Sequence, residues 1–250
     1  MVADWLLDTC ALNKSFGAVV ASEALSLQVR RGEIHALIGP NGAGKTTVIN
    51  QLAGELLPDS GSIHFDGRDI TSLSVHRRAR LGLARTFQIS TLFDGLTVSE
   101  NLALAVQPRL GHSYRFWRRA DRDAALGAPV AELLDRLDLG ALAGTRAGAL
   151  AHGDRRRLEL AMALAGRPTM LLLDEPMAGT GPESSRDVAR LLDSLKGHIT
   201  MLLVEHDMDV VFSIADTVSV MVSGRCIASG PPEAVRTDPQ VRRAYLGEDD

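Results

Sequence analysis

The stretch Gly39-Pro40-Asn41-Gly42-Ala43-Gly44-Lys45-Thr46-Thr47 decides how this chain is read. It matches the phosphate-binding pattern G-x-x-x-x-G-K-[ST], with Gly39, Gly44, Lys45 and Thr46 in the fixed places. An apolar run at residues 34–38 precedes it and a helix-compatible stretch at residues 48–52 follows. That is the strand-loop-helix setting the pattern requires. Glycines let the backbone turn so that successive N–H groups face phosphate oxygens, and the helix N-terminus adds its partial positive charge. In this reading Lys45 reaches the β- and γ-phosphates and the Thr46 hydroxyl binds Mg²⁺. The chain holds three lysines, Lys14, Lys45 and Lys196, and one of them fills the slot that demands lysine.

Composition narrows the class. At 250 residues the chain is long enough for one large α/β domain or for a core domain with a smaller subdomain, and with 45% hydrophobic and 23% charged residues it has the composition of a globular protein, so disordered or fibrous classes drop out. The net charge of −4 gives no reason to expect nucleic acid. Two cysteines, Cys10 and Cys226, are too few for a disulfide framework and suit a reducing cytosol. No apolar run approaches the ~18 residues that span a bilayer, and the N-terminus lacks a signal-sequence pattern. Membrane association is therefore expected to go through a partner protein.

Working outward from the loop, apolar runs at residues 5–12, 24–29 and 34–38 are separated by Gly17 and by Arg31-Gly32. They read as short strands of one mixed sheet, the third delivering the loop. Residues 62–65 with Asp66-Gly67 read as a hairpin. Residues 75–81 carry His76, Arg77, Arg78 and Arg80 on a short helix, expected to be a solvated basic face. Residues 97–166 turn helical, with apolar spacing at 98–106, 129–137 and 156–164. They form a helical subdomain inserted into a core made of residues 1–96 and 167–250. Within it, residues 107–127 interleave Tyr114, Phe116 and Trp117 with five arginines, which suits a mobile connection or a protein-docking patch better than base stacking. Residues 170–173 and 199–204 read as buried parallel strands, joined by a helix near 184–195.

Polar residues close both of these strands, at the sheet edge where α/β folds place ligands. Asp174 offers a carboxylate for Mg²⁺, and Glu175 beside it can orient or deprotonate an attacking water. Gln88 can reach the metal and that water, although a lone glutamine says little. His206 follows the second strand, where its imidazole can hydrogen-bond a γ-phosphate; taken alone, a strand-end histidine is as a rule a satisfied structural residue. Leu150-Ala151-His152-Gly153-Asp154 opens a helix whose N-terminus can face phosphate.

With these features in this order, the sequence resembles the ATP-binding subunits of ABC transporters across essentially its full length. The resemblance implies an α/β P-loop NTPase core of ABC ATPase type, with an N-terminal antiparallel β subdomain and the inserted helical subdomain. It makes the whole chain one ABC ATPase domain that binds and hydrolyses ATP with Mg²⁺. Residues 39–47 match Walker A, Gln88 the Q-loop, Leu150 to Asp154 the signature, residues 170–174 Walker B, Glu175 the catalytic glutamate, residues 178–182 the D-loop and His206 the switch histidine. Phe16 falls where the family places an aromatic that stacks on adenine. Metal contacts are implied for Thr46, Gln88 and Asp174, and catalytic roles for Lys45, Gln88, Glu175 and His206. The family pairs two ATP-binding subunits head to tail, so the signature serves the partner's ATP.

Ala84-Arg85-Thr86-Phe87-Gln88, Leu96-Thr97-Val98-Ser99-Glu100-Asn101 and Val204-Glu205-His206-Asp207-Met208 look like the subgroup that imports branched-chain and other hydrophobic amino acids. The resemblance implies transmembrane permease subunits, a second and non-identical ATP-binding subunit, an extracytoplasmic substrate-binding protein acting indirectly, and a place at the cytoplasmic face of the membrane. Other ABC transporters, for urea or amide import or lipopolysaccharide export, and a non-transport ABC ATPase are the alternatives. A small-molecule P-loop kinase lacks an evident acceptor site. Three positions depart from the family pattern: Ala151 stands for serine, Asp154 for glutamine and Gly181 for the D-loop aspartate. Loss of one hydrogen bond to a charged group costs about 1.5–3 kcal/mol. The site that uses this signature is therefore expected to be the weaker of two.

Overall fold

The computed structural model describes residues 5–86, 92–110, 124–179 and 181–246. These fall into two compact units, one of Met1–Arg85, Thr169–Glu175 and Leu192–Asp250, the other of Thr86–Pro168 and Pro176–Leu191.

The first unit contains two sheets. Strands β1 (Trp5–Phe16), β2 (Val19–Leu25) and β3 (Gln28–Arg30) pair antiparallel, and after β4 (Ile34–Ile38) and the phosphate loop the chain returns through β5 (Ser60–Phe65) and β6 (Arg68–Asp69) to the far side of β1. Strand β4 is not part of this sheet. It lies in a second one, between β9 (Thr200–Val204) and β10 (Thr217–Val222), in the order β11-β10-β4-β9-β8-β7, with β7 (Leu83–Arg85), β8 (Met170–Asp174) and β11 (Arg225–Gly230). All pairs in it are parallel except β10 with β11. The expectation of one mixed opening sheet is thus corrected. Strands β4, β8 and β9 are buried at all five positions. Such strands need cover on both faces, which a central place in a parallel sheet supplies and a half-exposed meander does not.

One polar residue interrupts the apolar β4, and it is satisfied. His35 Nε2 lies 2.8 Å from Ser219 Oγ, and its Nδ1 lies 3.3 Å from Glu33 Oε1. Glu33 also accepts from the Arg30 amide at 2.7 Å and the Thr217 hydroxyl at 3.0 Å. Helix α1 (Lys45–Ala53) buries Val48, Ile49 and Leu52 in a core shared with Phe65, Leu172 and Met221.

Helix α2 (Val75–Arg80) overturns a second expectation. His76, Arg77 and Arg80 are exposed, but Arg78 is completely buried. Its guanidinium donates to the carbonyls of Gln51, Leu52, Thr71 and Leu73 at 2.7–2.9 Å. Two of those carbonyls belong to the last turn of α1, where helical donors run out; that of Gln51 also accepts from the Gly54 amide at 3.2 Å. Burial pushes Arg78 down to about 10, opposed by Asp69.

The second unit carries α3 (Val98–Val106), α4 (Ala124–Arg136) and α5 (His152–Leu164), which pack on one another, and most of α6 (Pro182–Leu195). Thr97 and Glu100 form a reciprocal cap at the start of α3. Buried Asn101 ties the preceding turn together, its amide donating to the carbonyls of Phe93 and Thr97 and its Oδ1 accepting from the Phe93 amide at 2.9 Å. Residues 111–123, which include Tyr114, Phe116 and Trp117, lie outside the described residues. Back in the first unit, α7 (Met208–Ile214), α8 (Pro232–Thr237) and α9 (Pro239–Leu246) close the chain, Val211, Val235 and Val241 covering Ala36 and Ile38 of β4.

Candidate nucleotide site

The turn from β4 into α1 is held from two sides. A side chain at Gly39 would place its Cβ 2.2 Å from the Met221 carbonyl at the end of β10, and one at Gly44 would place it 2.0 Å from the Ala21 carbonyl in β2. Gly44 also has φ 101°, a conformation that L side chains rarely adopt. Backbone packing therefore fixes the path of the loop before any ligand arrives. Asn41, Gly42 and Thr46 face solvent, Pro40, Gly44 and Thr47 are half-buried, and Ala43 is buried. Among the described residues no side chain caps the start of α1, which leaves its first N–H groups for an anion.

Lys45 is buried and folds back over the loop, donating to the carbonyls of Gly39 at 2.6 Å and Pro40 at 3.1 Å. Burial lowers its pKa, against the pull of Glu175 and Asp174. Those two carboxylates come from the end of β8, which packs on α1. Burial raises the Asp174 pKa, and the neighbouring Arg85 guanidinium opposes the shift. Glu175 adopts φ 49°, an uncommon conformation for a non-glycine residue that costs about 1–3 kcal/mol. Its amide donates to the Val204 carbonyl at 2.9 Å, pinning β8 to the end of β9. His206 follows that same end, exposed, with Nδ1 3.7 Å from Glu205 Oε2. Asp207 then starts α7 by accepting from the Asp209 and Val210 amides.

Phe16 ends β1 beside the Gly17 turn and is 52% exposed, with Lys14 Nζ 5.7 Å from its ring centre. Neighbouring Val19 and Val20 are exposed as well. An apolar platform open to solvent suits the face of a base.

The second unit holds the signature stretch. Leu150 is buried, Ala151 and His152 are exposed, and α5 begins at His152 with Ala151 as its N-cap and no side-chain cap. Asp154 lies in the first turn, 3.9 Å from Arg157. Gln88 and Thr180 lie outside the described residues.

The donor set fits Mg²⁺. Asp174 Oδ1 is buried with no hydrogen-bond partner among the described residues, and the exposed Thr46 hydroxyl sits on the facing helix. Among the described residues no group of three or more His, Cys, Asp or Glu side chains could hold a metal alone. A hard cation bound by one carboxylate, one hydroxyl and the nucleotide's own oxygens matches that arrangement. The sequence gives Arg85 no role of its own, only a place in a family-like stretch, yet its guanidinium donates to Asp174 Oδ2 at 3.0 Å. An arginine at the end of a short strand carries no sign of which acceptors it will meet.

The profile of the ABC transporter family matches residues 22–178, which include this loop and both carboxylates. The chain belongs to that family. As an ABC ATPase it binds nucleotide and hydrolyses ATP in support of transport. A second profile, of branched-chain amino acid ATP-binding cassette transporters, matches residues 225–250 of this ABC ATPase. It is 40% identical over 252 residues to the high-affinity branched-chain amino acid transport ATP-binding protein BraF of Pseudomonas aeruginosa, covering 97% of this chain and 98% of BraF. Its identity to the protein of the same description, LivG, of Escherichia coli K12 is also 40%, with the same coverage. A solved ATP-binding cassette of an ABC transporter, in its ADP conformation, superposes with a TM-score of 0.86 at 32% identity over 98% of this chain and 99% of the other.

Proposed function

We propose that this chain powers the import of branched-chain or other hydrophobic amino acids, working with transmembrane permease subunits at the cytoplasmic face of the membrane. Among the described residues no helix is long and apolar enough to cross a membrane. Attachment therefore goes through the permease, and the pair is completed by a second, non-identical ATP-binding subunit. An extracytoplasmic binding protein delivers the cargo from the other side. The observation that carries the cargo class is the match of residues 225–250 to the branched-chain profile, joined to 40% identity with BraF and LivG along almost the whole chain.

ATP stacks its base on Phe16 and lays its phosphates along residues 39–47. Lys45 exchanges the loop carbonyls for phosphate oxygens. Thr46 and Asp174 would hold Mg²⁺, Gln88 being expected as a further contact from the family pattern, and the metal when bound neutralises phosphate charge. Glu175 orients a water and takes its proton as the water oxygen bonds to the γ-phosphorus and the bond to the β–γ bridging oxygen breaks. His206 hydrogen-bonds the γ-phosphate. Residues 150–154 serve the partner's nucleotide. With the γ-phosphate gone, the contacts that closed the pair are lost and the pair reopens.

Deleting the gene should abolish uptake of radiolabelled leucine, isoleucine and valine, with restoration by the wild-type chain and none by Glu175→Gln. Unchanged uptake on deletion, with co-purification of a lipid-export permease instead, would reject the cargo assignment. Full ATP hydrolysis by Glu175→Gln would remove Glu175 from its role.

A further inference from the structure

Arg85 ends β7 and reaches three acceptors at once. Its Nη2 donates to Asp174 Oδ2 at 3.0 Å, and its Nη1 donates to Asn50 Oδ1 at 2.7 Å and Glu55 Oε2 at 2.6 Å. The arginine side chain is 11% exposed and that of Asp174 is fully buried. Asn50 sits on α1 and Glu55 just beyond it, so the guanidinium ties the phosphate-binding helix to the end of β8. The carboxylate it holds is unevenly used. Oδ2 is occupied by Arg85, whereas Oδ1 is buried and has no partner among the described residues.

A buried carboxylate oxygen without a partner is costly, and a buried ion pair by itself is weak support for stability. Both facts make sense if the pair serves to aim the free oxygen. We infer that Arg85 is a positioning residue for the metal: by fixing Oδ2 it presents Asp174 Oδ1 to the Mg²⁺ that accompanies the nucleotide. The inference rests on the reading of Asp174 as a metal residue given above. Arginine suits the task because its planar fork donates in several fixed directions, which a lysine ammonium on a flexible stem does not reproduce. Outer partners of this kind orient the liganding atom, and removing them typically lowers metal affinity about 10- to 100-fold.

The test uses the full chain with Mn²⁺ as the probe, its binding in the presence of ADP counted by electron paramagnetic resonance. A fluorescent ADP analogue titrated in EDTA reports metal-free binding. Arg85→Gln should weaken Mn²⁺ about 10- to 100-fold and leave metal-free ADP binding within about twofold, and Arg85→Lys should fall between it and wild type. Asp174→Asn separates the two ideas. If Asp174→Asn leaves Mn²⁺ affinity unchanged, the reading of Asp174 as a metal residue fails. If Asp174→Asn weakens it and Arg85→Gln does not, Arg85 only ties α1 to β8 and the inference is overturned. Should Arg85→Gln prove insoluble, Arg85→Lys decides alone, wild-type Mn²⁺ affinity overturning the inference and a loss supporting it.

Discussion

Lys45 spends its ammonium on Gly39: Nζ donates to that carbonyl at 2.6 Å, with the Pro40 carbonyl second at 3.1 Å. A buried cation must be satisfied, and the loop's own backbone does it here. Nucleotide binding is thus an exchange of neutral acceptors for anionic ones, which are roughly twice as strong. Lys45→Ala should weaken ATP binding about 100-fold, the sum of one or two charge-assisted bonds, and should cost about 1–3 kcal/mol of stability by taking this donor from the buried Gly39 carbonyl. Isothermal titration with ATP and a thermal melt check both halves. Binding at wild-type strength would show that the backbone N–H groups hold the phosphates without the lysine.

Arg78 supports the fold from a position that resembles a surface charge in sequence. Arg78→Ala removes a donor from four backbone carbonyls, of which only that of Gln51 has the Gly54 amide besides, and leaves a hole at the end of α1. With unsatisfied buried acceptors costing about 1–3 kcal/mol apiece before relaxation or water entry, a loss of about 3 kcal/mol or more is expected in urea unfolding. Arg77→Ala, on the exposed side of the same helix, should change stability by less than about 0.5 kcal/mol. Equal effects would mean that Arg78 does not hold α1.

Acid should loosen the first unit through Glu33. Burial raises its pKa, but hydrogen bonds from His35, the Arg30 amide and Thr217 overcome that and hold it below the ordinary value of 4.5. The folded protein therefore releases this proton more readily than the unfolded chain does. Its contribution to stability is complete above pH 4.5 and is lost as the pH falls through the lower folded-state value. Glu33→Gln should be less stable than wild type near neutral pH and lose less on acidification, so the two stability curves converge below about pH 4. Parallel curves in urea melts across that range would exclude Glu33 as the titrating group.

Helix α5 starts without a side-chain cap because Ala151 occupies the N-cap. Ala151→Ser supplies the missing acceptor, and a stability gain of about 0.5–2 kcal/mol is expected in a thermal melt. In the assembled transporter the same hydroxyl would face the partner's γ-phosphate, and ATP turnover should rise. A gain in melting temperature with no gain in turnover would confine the effect to the helix.

The loop at residues 39–47 was legible because its chemistry demands fixed residues at fixed spacing. Asp174, Glu175 and His206 were legible once two apolar runs were seen to end in polar residues, and the structure sets all three at ends of β8 and β9. Strand pairing was less so. Residues 34–38 read clearly as a strand, but nothing local says that its partners are β9 and β10 rather than the preceding hairpin. Arg78 and Arg85 were invisible for one reason: arginine is usually solvated, and its burial depends on acceptors from Thr71, Leu73, Gln51 and Leu52 in one case and from Asp174, Asn50 and Glu55 in the other.

The pairing of β4 also bears on biosynthesis. The glycine-rich turn leaves the ribosome early, yet both neighbours of the strand that carries it are encoded beyond residue 199. At about 5–20 residues per second, the nascent chain holds Ile34 to Ile38 without sheet partners for on the order of ten seconds or more. A product truncated before β9 would carry the phosphate loop, Asp174 and Glu175 but neither sheet partner of the strand that holds the loop, leaving β4 as an apolar segment with unpaired edges.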